Sequence, residues 1–298
     1  MDRTLIVTAK TNPDLDGVAC AVAYAELLET TSGRAVAVAA GTPDAEARFV
    51  LEHLGIRLPG SPRGAMDGVV LVDISALPGL PSFVDPATVV EVIDHRLHGD
   101  PAESFPNAAV QVEAMGAAAT LVYERFTAAN VVPSATAAVL LQAAIHSNTQ
   151  RLLGAVTTPR DVAAAASLAT LSPMPPGFVE AQFQARAAEI FADLPAAIVR
   201  ETKTFRHGTG SFQVAQLECP GALDLASPAR VFIARPRLIL NLVDPALPAS
   251  LILVHDPEFR AWVAHRAAVA FGGDVARPGQ VLLRKQLVAR LMGAGGPS

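Results

Sequence analysis

The sequence predicts an α/β fold in two domains. At 298 residues the chain is long enough for two separate cores. Its first part alternates helix-like segments with short β-rich runs, which are "RTLIVTA" (3–9), "AVAVAA" (35–40), "GVVLVD" (68–73) and "TVVEVID" (88–94). Continuous apolar strands alternating with helices are typical of a parallel sheet buried on both faces. We therefore predict an N-terminal parallel-sheet domain with helices on both faces, a smaller C-terminal α/β domain, and a cleft between them.

The individual elements follow from local periodicity and from breaker residues. Helix-like segments of the first domain are expected at 17–30, 44–54, 115–129, 134–147 and 159–171. The proline-rich segment "LSPMPPGF" (171–178) interrupts this pattern. Beyond it we expect strands at 202–206, 211–217 and 250–254 and helices near 259–270 and 285–292. These elements predict a first domain over 1–178, a connecting helix over 179–200 and a second domain over 201–298.

Composition narrows the class of protein. Hydrophobic residues make up 51% of the chain and charged residues 17%, which is typical of a globular protein. The net charge of −5 argues against a nucleic-acid partner but is compatible with a small phosphorylated ligand. The two cysteines, Cys20 and Cys219, are too few for a disulfide framework or a thiolate zinc cluster. Without a long apolar run or a signal-like start, we expect a cytoplasmic protein and no membrane partner.

Acidic residues collect where the predicted strands end. Asp14 and Asp16 follow the first strand, Asp73 ends the third, and Asp94 with His95 ends the fourth. Open α/β sheets place their ligand crevice at these carboxyl ends. Carboxylates that converge there repel one another unless a hard cation or basic side chains lie between them. The alternative for any single aspartate is a helix cap or a turn.

Four motifs carry a family resemblance, in order along the chain. They are "TNPDLDGVACAVAYA", "VDIS", "VIDHR" and "HSNTQRLLGAVTTPRDV". This set resembles the motifs of the DHH phosphoesterase superfamily, and within it the manganese-dependent family II inorganic pyrophosphatases. The segments "VEAMGAAATLVYERF", "ETKTFRHGTGSFQVAQLE" and "RPGQVLLRKQLV" are similar to further parts of that family, so the resemblance spans nearly the whole chain.

The resemblance implies a two-metal hydrolase that holds its substrate between the domains. By position, Asp73 would bridge the metals, Asp14 would face the first, and Asp16 and His95 would face the second. Basic residues of the second domain would clamp phosphate, and these are Lys203, Arg284 and Lys285. A homodimer is compatible with the sequence.

The chain departs from the family pattern at the metal shell. The family has His where this chain has Lys10, His where it has Arg96, and Asp where it has Asn148, and Leu283 stands where an Arg is usual. Arg96 suits phosphate better than an imidazole but cannot act as a general acid near neutral pH. Asn148 retains an oxygen that could coordinate a metal only weakly. Lys10 either replaces an ion or is a solvated lysine at a loop edge.

Charge limits what such a site can hold. Three carboxylates (Asp14, Asp16, Asp73) and two fixed cations (Lys10, Arg96) leave a net charge of −1, which one divalent ion changes to +1 and a second to +3. A protonated lysine cannot coordinate a metal. We therefore expect one Mn²⁺ or Mg²⁺ ion at most, on Asp16, Asp73 and His95, with the Lys10 ammonium in place of the other ion.

The predicted function is hydrolysis of a phosphoanhydride or phosphoester, with Lys10, Asp73, His95 and Arg96 as the catalytic residues and Arg96 also binding phosphate. The alternative is a catalytically impaired phosphate- or nucleotide-binding protein in which Lys10 and Arg96 replace metal. An oligonucleotide phosphodiesterase is less favoured, because Asp274 in "AFGGDVARPG" stands where that branch would carry a His. We interpret Gly272 and Gly273 as a plain turn and His98 and His146 as structural histidines.

Overall fold

The predicted α/β fold is confirmed in a computed structural model, which describes residues 4–64, 66–96, 100–245, 247 and 249–293. The chain divides into two compact units, Met1–Gln182 and Phe183–Ser298. The segment 179–200 lies in two helices, which break at Asp193. The finer division at 178 and 200 stays a prediction. None of the helices in the described ranges is long and apolar enough to cross a membrane.

The first unit is built on a five-stranded parallel sheet in the order β2-β1-β3-β4-β5. Its strands are β1 (Leu5–Thr8), β2 (Ala35–Val38), β3 (Gly68–Val72), β4 (Val89–Asp94) and β5 (Ala109–Val112). Neighbouring residues of β3 enter different cores, since Val70 and Val72 join the larger one and Val69 and Leu71 join a smaller one. This alternation is the consequence of a sheet that is buried on both faces.

Helices α1, α4, α5 and α6 pack together over the larger core. The helices that begin in this unit are α1 (Leu15–Thr31), α2 (Ala45–His53), α3 (Pro101–Ser104), α4 (Ala118–Ala128), α5 (Ala135–Asn148), α6 (Pro159–Leu171) and α7 (Phe178–Ala192). Several begin at side-chain caps, among them Asp14 for α1 and Thr158 for α6. The smaller core includes Val84 and Phe105, which lie beside a 3₁₀ turn (Pro86–Thr88) and the short α3.

Gly17 in the first turn of α1 allows that helix to approach β1 closely. A Cβ atom at this position would lie 2.6 Å from Ala9 Cβ and 3.5 Å from Asp73 Oδ2. We expect Gly17→Ala to lower the free energy of unfolding by about 1–3 kcal/mol, because helix and strand must separate. Urea denaturation measures this change. The matched control is Gly60→Ala, where the nearest atom is Ala39 O at 3.9 Å; equal effects of both substitutions would contradict the argument.

The second unit contains a mixed six-stranded sheet in the order β10-β11-β9-β8-β7-β6. Its strands are β6 (Thr202–His207), β7 (Gly210–Glu218), β8 (Leu238–Asp244), β9 (Ala249–Leu253), β10 (Phe271–Gly272) and β11 (Val275–Ala276). Only the β7–β8 pair is parallel among these described strands. Its helices are α8 (Leu194–Glu201), α9 (Ala226–Ala229), α10 (Pro257–Ala267) and α11 (Arg284–Met292). Gly273 has a φ of 70° in the turn between β10 and β11, as the turn interpretation requires.

Candidate functional site

The topology of the parallel sheet brings the predicted site residues together. β1 pairs with β2 on one side and with β3 on the other, so the connections after β1 and β3 leave in different directions. Such a reversal of strand order opens a crevice at the carboxyl edge of the sheet. Asp14 and Asp16 follow β1, Asp73 follows β3, and His95 follows β4. These four side chains therefore converge at the position where α/β sheets bind ligands.

Asp16, Asp73 and His95 form one cluster of donor atoms. One atom from each residue can be chosen so that all three lie within 4.8 Å of one another. His95 Nε2 lies 3.4 Å from Asp73 Oδ1 and 3.9 Å from Asp16 Oδ2. Both carboxylates are buried. Two carboxylates and an imidazole are a donor set that Mn²⁺ accepts.

Asp16 also caps a helix that begins far away in the sequence. Its Oδ2 accepts from the backbone N–H of Ala118 at 2.8 Å, and its Oδ1 accepts from that of Ala119 at 2.9 Å. Helix α4 has no cap from its own preceding side chain, that of Ala117, so Asp16 satisfies its first N–H groups instead. Burial and the charge of Asp73 raise the pKa of Asp16 to about 7, although the charge of His95 opposes this. More positive charge near Asp16, such as a metal ion, would stabilise its ionised form.

Asp73 is the most constrained residue of the cluster. Its φ is 55°, in the left-handed region that aspartate and asparagine tolerate better than most residues. Arg96 Nη2 donates to Asp73 Oδ1 at 2.6 Å and to Asp73 O at 2.5 Å. Burial would raise the pKa of Asp73, but the charges of Arg96 and Lys10 hold it below its ordinary value. The buried Oδ2 accepts no hydrogen bond from the part of the chain that the structure describes.

Lys10 faces carboxylates. Its ammonium bonds to Asp14 Oδ2 and lies 3.7 Å from Asp73 Oδ2. Asp14 in turn accepts from Gly17 N at 3.2 Å and so caps α1. The same aspartate can therefore cap a helix and belong to the site. Burial would lower the pKa of Lys10, but the charges of Asp14 and Asp73 raise it above its ordinary value. Lys10 is therefore a fixed cation beside the cluster.

His95 is oriented by the backbone. Its Nδ1 lies 3.0 Å from Met115 O, which directs Nε2 towards the two carboxylates. Burial would lower the pKa of His95, but its hydrogen bond to Asp73 and the charge of Asp16 raise it to about 9. A backbone carbonyl that binds one ring nitrogen is the usual partner of a histidine whose other nitrogen binds metal.

Asp94 and Ser75 hold Arg96 in place, a role that the sequence did not reveal. Asp94 Oδ1 accepts from His95 N at 2.7 Å and from Arg96 N at 3.2 Å, and it lies 3.4 Å from Arg96 Nε. Ser75 Oγ donates to Asp94 Oδ2 at 2.6 Å. The sequence placed Asp94 at a strand end, but it did not distinguish an aspartate that binds a ligand from one that orients the next two residues. Arg96 consequently reaches Asp73 from a fixed position.

Of the remaining predicted site residues, Asn148 lies beside the cluster, and the three basic residues belong to the second unit. Asn148 donates through Nδ2 to Asp16 Oδ2 at 2.6 Å, so its amide nitrogen faces the cluster. In the second unit, Lys203 lies on β6, and Arg284 begins α11 and donates through Nη1 to Glu201 O at 2.7 Å. Lys285 is exposed on α11. Of the two histidines interpreted as structural, His146 lies on α5, whereas His98 is outside the described residues.

The donor atoms of Asp16, Asp73 and His95 suit a divalent cation. Asp73 Oδ2 is a buried acceptor without a hydrogen bond from the described residues, and His95 Nε2 points at both carboxylates. A cation bound there would satisfy the buried oxygen and offset the repulsion between Asp16 and Asp73. On the side of Asp14, the Lys10 ammonium already supplies the positive charge.

The sequence is similar to those of known proteins. Residues 4–146 match the family model described as the DHH family, N-terminal domain. A Listeria innocua protein named as a probable manganese-dependent inorganic pyrophosphatase is 26% identical, over 85% of this chain and 82% of that protein. An Enterococcus faecalis protein with the same name is 25% identical, over 96% of this chain and 97% of that protein.

Solved structures share the fold. The crystal structure of a candidate family II inorganic pyrophosphatase from Methanococcus jannaschii is similar with a TM-score of 0.75 and 20% identity, covering 97% of this chain and 99% of that one. An exopolyphosphatase-related protein from Bacteroides fragilis is similar with a TM-score of 0.53 and 12% identity, covering 98% and 91%. Residues 4–146 therefore match the DHH-family N-terminal domain, in a chain that resembles the family II inorganic pyrophosphatases in sequence and in fold.

Proposed function

We propose that the chain is a phosphoesterase-type hydrolase that cleaves a phosphoanhydride or phosphoester, as a pyrophosphatase does, with one Mn²⁺ or Mg²⁺ ion. The observation that carries the proposal is the convergence of Asp16, Asp73 and His95 within 4.8 Å. The relatives named as manganese-dependent pyrophosphatases support the same class of reaction. Asp16, Asp73 and His95 would hold the ion.

Each residue of the site has a chemical role in this proposal. When bound, the divalent ion supplies Lewis acidity and lowers the pKa of a coordinated water. Arg96 uses Nε and Nη2 on carboxylates, while its side chain remains 35% exposed, so the rest of its guanidinium is available to phosphate. Lys10 balances the charge of Asp14 and Asp73. Lys203, Arg284 and Lys285 are the second unit's candidates for further phosphate contacts.

The charges around Asp73 support the proposal of a single ion. Lys10 lies 3.7 Å from Asp73 Oδ2, and Arg96 Nη2 lies 2.6 Å from Asp73 Oδ1. A second divalent ion on this carboxylate would face both cations at short range, which costs free energy even in a polar site. The ammonium of Lys10 therefore takes the place of one ion in our proposal.

The hydrolase proposal is tested by phosphate release. Purified protein is incubated with pyrophosphate, tripolyphosphate and ATP in the presence of Mn²⁺, Mg²⁺ or EDTA, and inorganic phosphate is measured. We expect release from at least one substrate with metal and loss of that release with EDTA, because the proposed hydrolysis requires the ion that Asp16, Asp73 and His95 would hold. No metal-dependent release from any of the three substrates would contradict the enzymatic proposal.

The second candidate function is metal-free binding of a phosphorylated metabolite. It is favoured by one observation, which is that Lys10 and Arg96 both contact the carboxylates at the crevice. Two fixed cations can attract a phosphate without any metal. In this case the crevice at the carboxyl edge of the parallel sheet would bind its ligand and release it unchanged.

Calorimetric titration with pyrophosphate, with and without EDTA, separates the two candidates. Binding that persists in EDTA without turnover supports the metal-free candidate. Binding that is lost in EDTA and restored by Mn²⁺ supports the hydrolase. The matched variant is Lys10→Met, which removes the ammonium at similar length and should weaken metal-free binding by about 10-fold, roughly the worth of one charge-assisted hydrogen bond.

A further inference from the structure

A cavity of about 550 Å³ lies in the first unit. It is separate from the candidate metal site, because Asp16, Asp73 and His95 do not line it. Helix α5 contributes Gln142 and His146, and helix α6 contributes Ala169. The proline-rich segment that leads into α7 supplies apolar walls, including Met174 and Phe178. This volume is typical of pockets that hold a small organic molecule.

Two buried polar atoms on α5 have no hydrogen-bond partner among the residues that the structure describes. Gln142 is 3% exposed, and its Nε2 donates to Ala165 O at 3.1 Å, which fixes Oε1 as an acceptor. Within the described ranges, neither Gln142 Oε1 nor His146 Nδ1 has a hydrogen bond. The two residues are four positions apart and so lie on the same face of the helix. A buried polar atom without a hydrogen bond costs free energy, which a ligand with matching groups would recover.

An ion pair between Arg151 and Glu180 also lines the cavity, and its two charges cancel. Arg151 Nη1 lies 3.3 Å from Glu180 Oε1, and the two side chains are 33% and 61% exposed. Arg151 belongs to a turn in which Gln150, Arg151 and Leu152 all have positive φ, at 50°, 61° and 66°. Three consecutive left-handed residues are strained, and strain of this kind is concentrated at functional sites.

We propose that this cavity binds a nucleoside, with the base inside and the ribose at the Arg151–Glu180 pair. Gln142 Oε1 and His146 Nδ1 lie just beneath the cavity surface, so a ligand contacts them after a local rearrangement of the wall. A planar, nitrogen-rich base then offers an N–H donor to Gln142 Oε1 and a ring nitrogen or N–H group to His146 Nδ1, according to the imidazole tautomer. Its apolar faces match walls such as Met174 and Phe178. Glu180 can accept from ribose hydroxyls and Arg151 can donate to them. The balanced charge of this pair favours an uncharged nucleoside over its phosphates.

The test is calorimetric titration of the full-length protein with adenosine, guanosine, cytidine and uridine. We expect at least one to bind with a Kd below about 1 mM, and Gln142→Leu or His146→Phe to weaken that binding by at least about 10-fold. Asp73→Asn should leave it unchanged, since that residue belongs to the metal cluster. The control is Arg160→Met, because Arg160 pairs with Glu113 and Glu124 on the surface.

Other results would overturn the proposal. It fails if none of the four nucleosides binds, if binding survives both cavity substitutions, or if Asp73→Asn abolishes it.

Gln142 is buried, so folding of each variant is checked by circular dichroism. If both interior variants fail to fold, Arg151→Met is the deciding variant, since its partly exposed side chain tolerates the change. We expect it to weaken nucleoside binding by about threefold or more, as the loss of one hydrogen bond predicts; unchanged binding in it would also contradict the proposal. The experiment requires no phosphatase activity, so its outcome is independent of the proposed hydrolase.

Discussion

Replacing Asp73 by asparagine is expected to lower the affinity for Mn²⁺ by at least about 100-fold and metal-dependent phosphate release by a similar factor. Outer-shell changes at metal sites already cost about 10–100-fold, and Asp73 is a candidate direct ligand. The substitution removes the buried charge that faces His95 and Arg96. Because asparagine also tolerates a φ of 55°, the backbone should keep its conformation. Calorimetry with Mn²⁺ and a phosphate-release assay measure the two effects.

Two further variants separate the ligand role of Asp73 from its backbone role. Asp73→Ala removes the same charge but adds the penalty of a left-handed alanine, so we expect equal loss of metal and lower thermal stability. Asp85→Asn is the matched control, because Asp85 is an exposed aspartate that caps the 3₁₀ turn Pro86–Thr88. If the Asp73→Asn protein binds Mn²⁺ as tightly as the Asp85→Asn protein does, Asp73 is not a metal ligand and the proposed metal site is wrong.

Restoring the family's residues at three positions is expected to raise the capacity of the site from one Mn²⁺ ion to two. The combined variant is Lys10→His, Arg96→His and Asn148→Asp. It removes two fixed cations and adds one carboxylate, so the net charge of the set changes from −1 to −4. Two divalent ions then balance the carboxylates, and imidazole nitrogen replaces an ammonium that cannot coordinate. Metal analysis after equilibrium dialysis against Mn²⁺ gives the number of ions per chain.

The control for this prediction is Lys10→Met, which removes the ammonium beside Asp14 without providing a ligand. We expect this variant to bind one Mn²⁺ ion, since charge relief alone does not complete a second coordination shell. A combined variant that folds but still binds one ion would show that Lys10 and Arg96 do not limit the capacity. The wild-type protein binding two ions would contradict the single-ion proposal itself.

Strong local patterns predicted most of the fold. The first four strands were recognised because they are apolar runs between helix-like segments, and they appear at Leu5–Thr8, Ala35–Val38, Gly68–Val72 and Val89–Asp94. Strand β5 was missed, since it is a half-exposed edge strand without a clear alternation. Strand β8 was also missed, because the buried Asn241 interrupts its apolar run. The Asn241 side chain donates to Gln216 Oε1 and Leu282 O, partners that only the folded chain supplies.

The sequence predicted which residues form the candidate site, but not the hydrogen bonds and ion pairs between their side chains. Strand ends located Asp14, Asp16, Asp73 and His95, because parallel strands bring their carboxyl ends to one edge. The bonds from Lys10 to Asp14 and from Arg96 to Asp73 depend on rotamers and on loop geometry, which a pattern does not encode. One signal could have been used: "MGAAAT" begins a helix without a capping side chain, which indicates a cap from elsewhere.

Because Asp16 caps α4, its presence is not by itself evidence for a metal site. Since Asp16 secures the start of α4, a descendant of this fold that had abandoned metal altogether would still need a carboxylate there to keep the helix in place. The capping contacts alone are a sufficient structural reason for an aspartate at this position. Asp73 is different, because within the described chain its Oδ2 accepts no hydrogen bond and has only the more distant Lys10 ammonium beside it, while its backbone conformation is costly. In this arrangement, Asp73 after β3 is therefore a better indicator of metal binding than Asp16 in the first turn of α1.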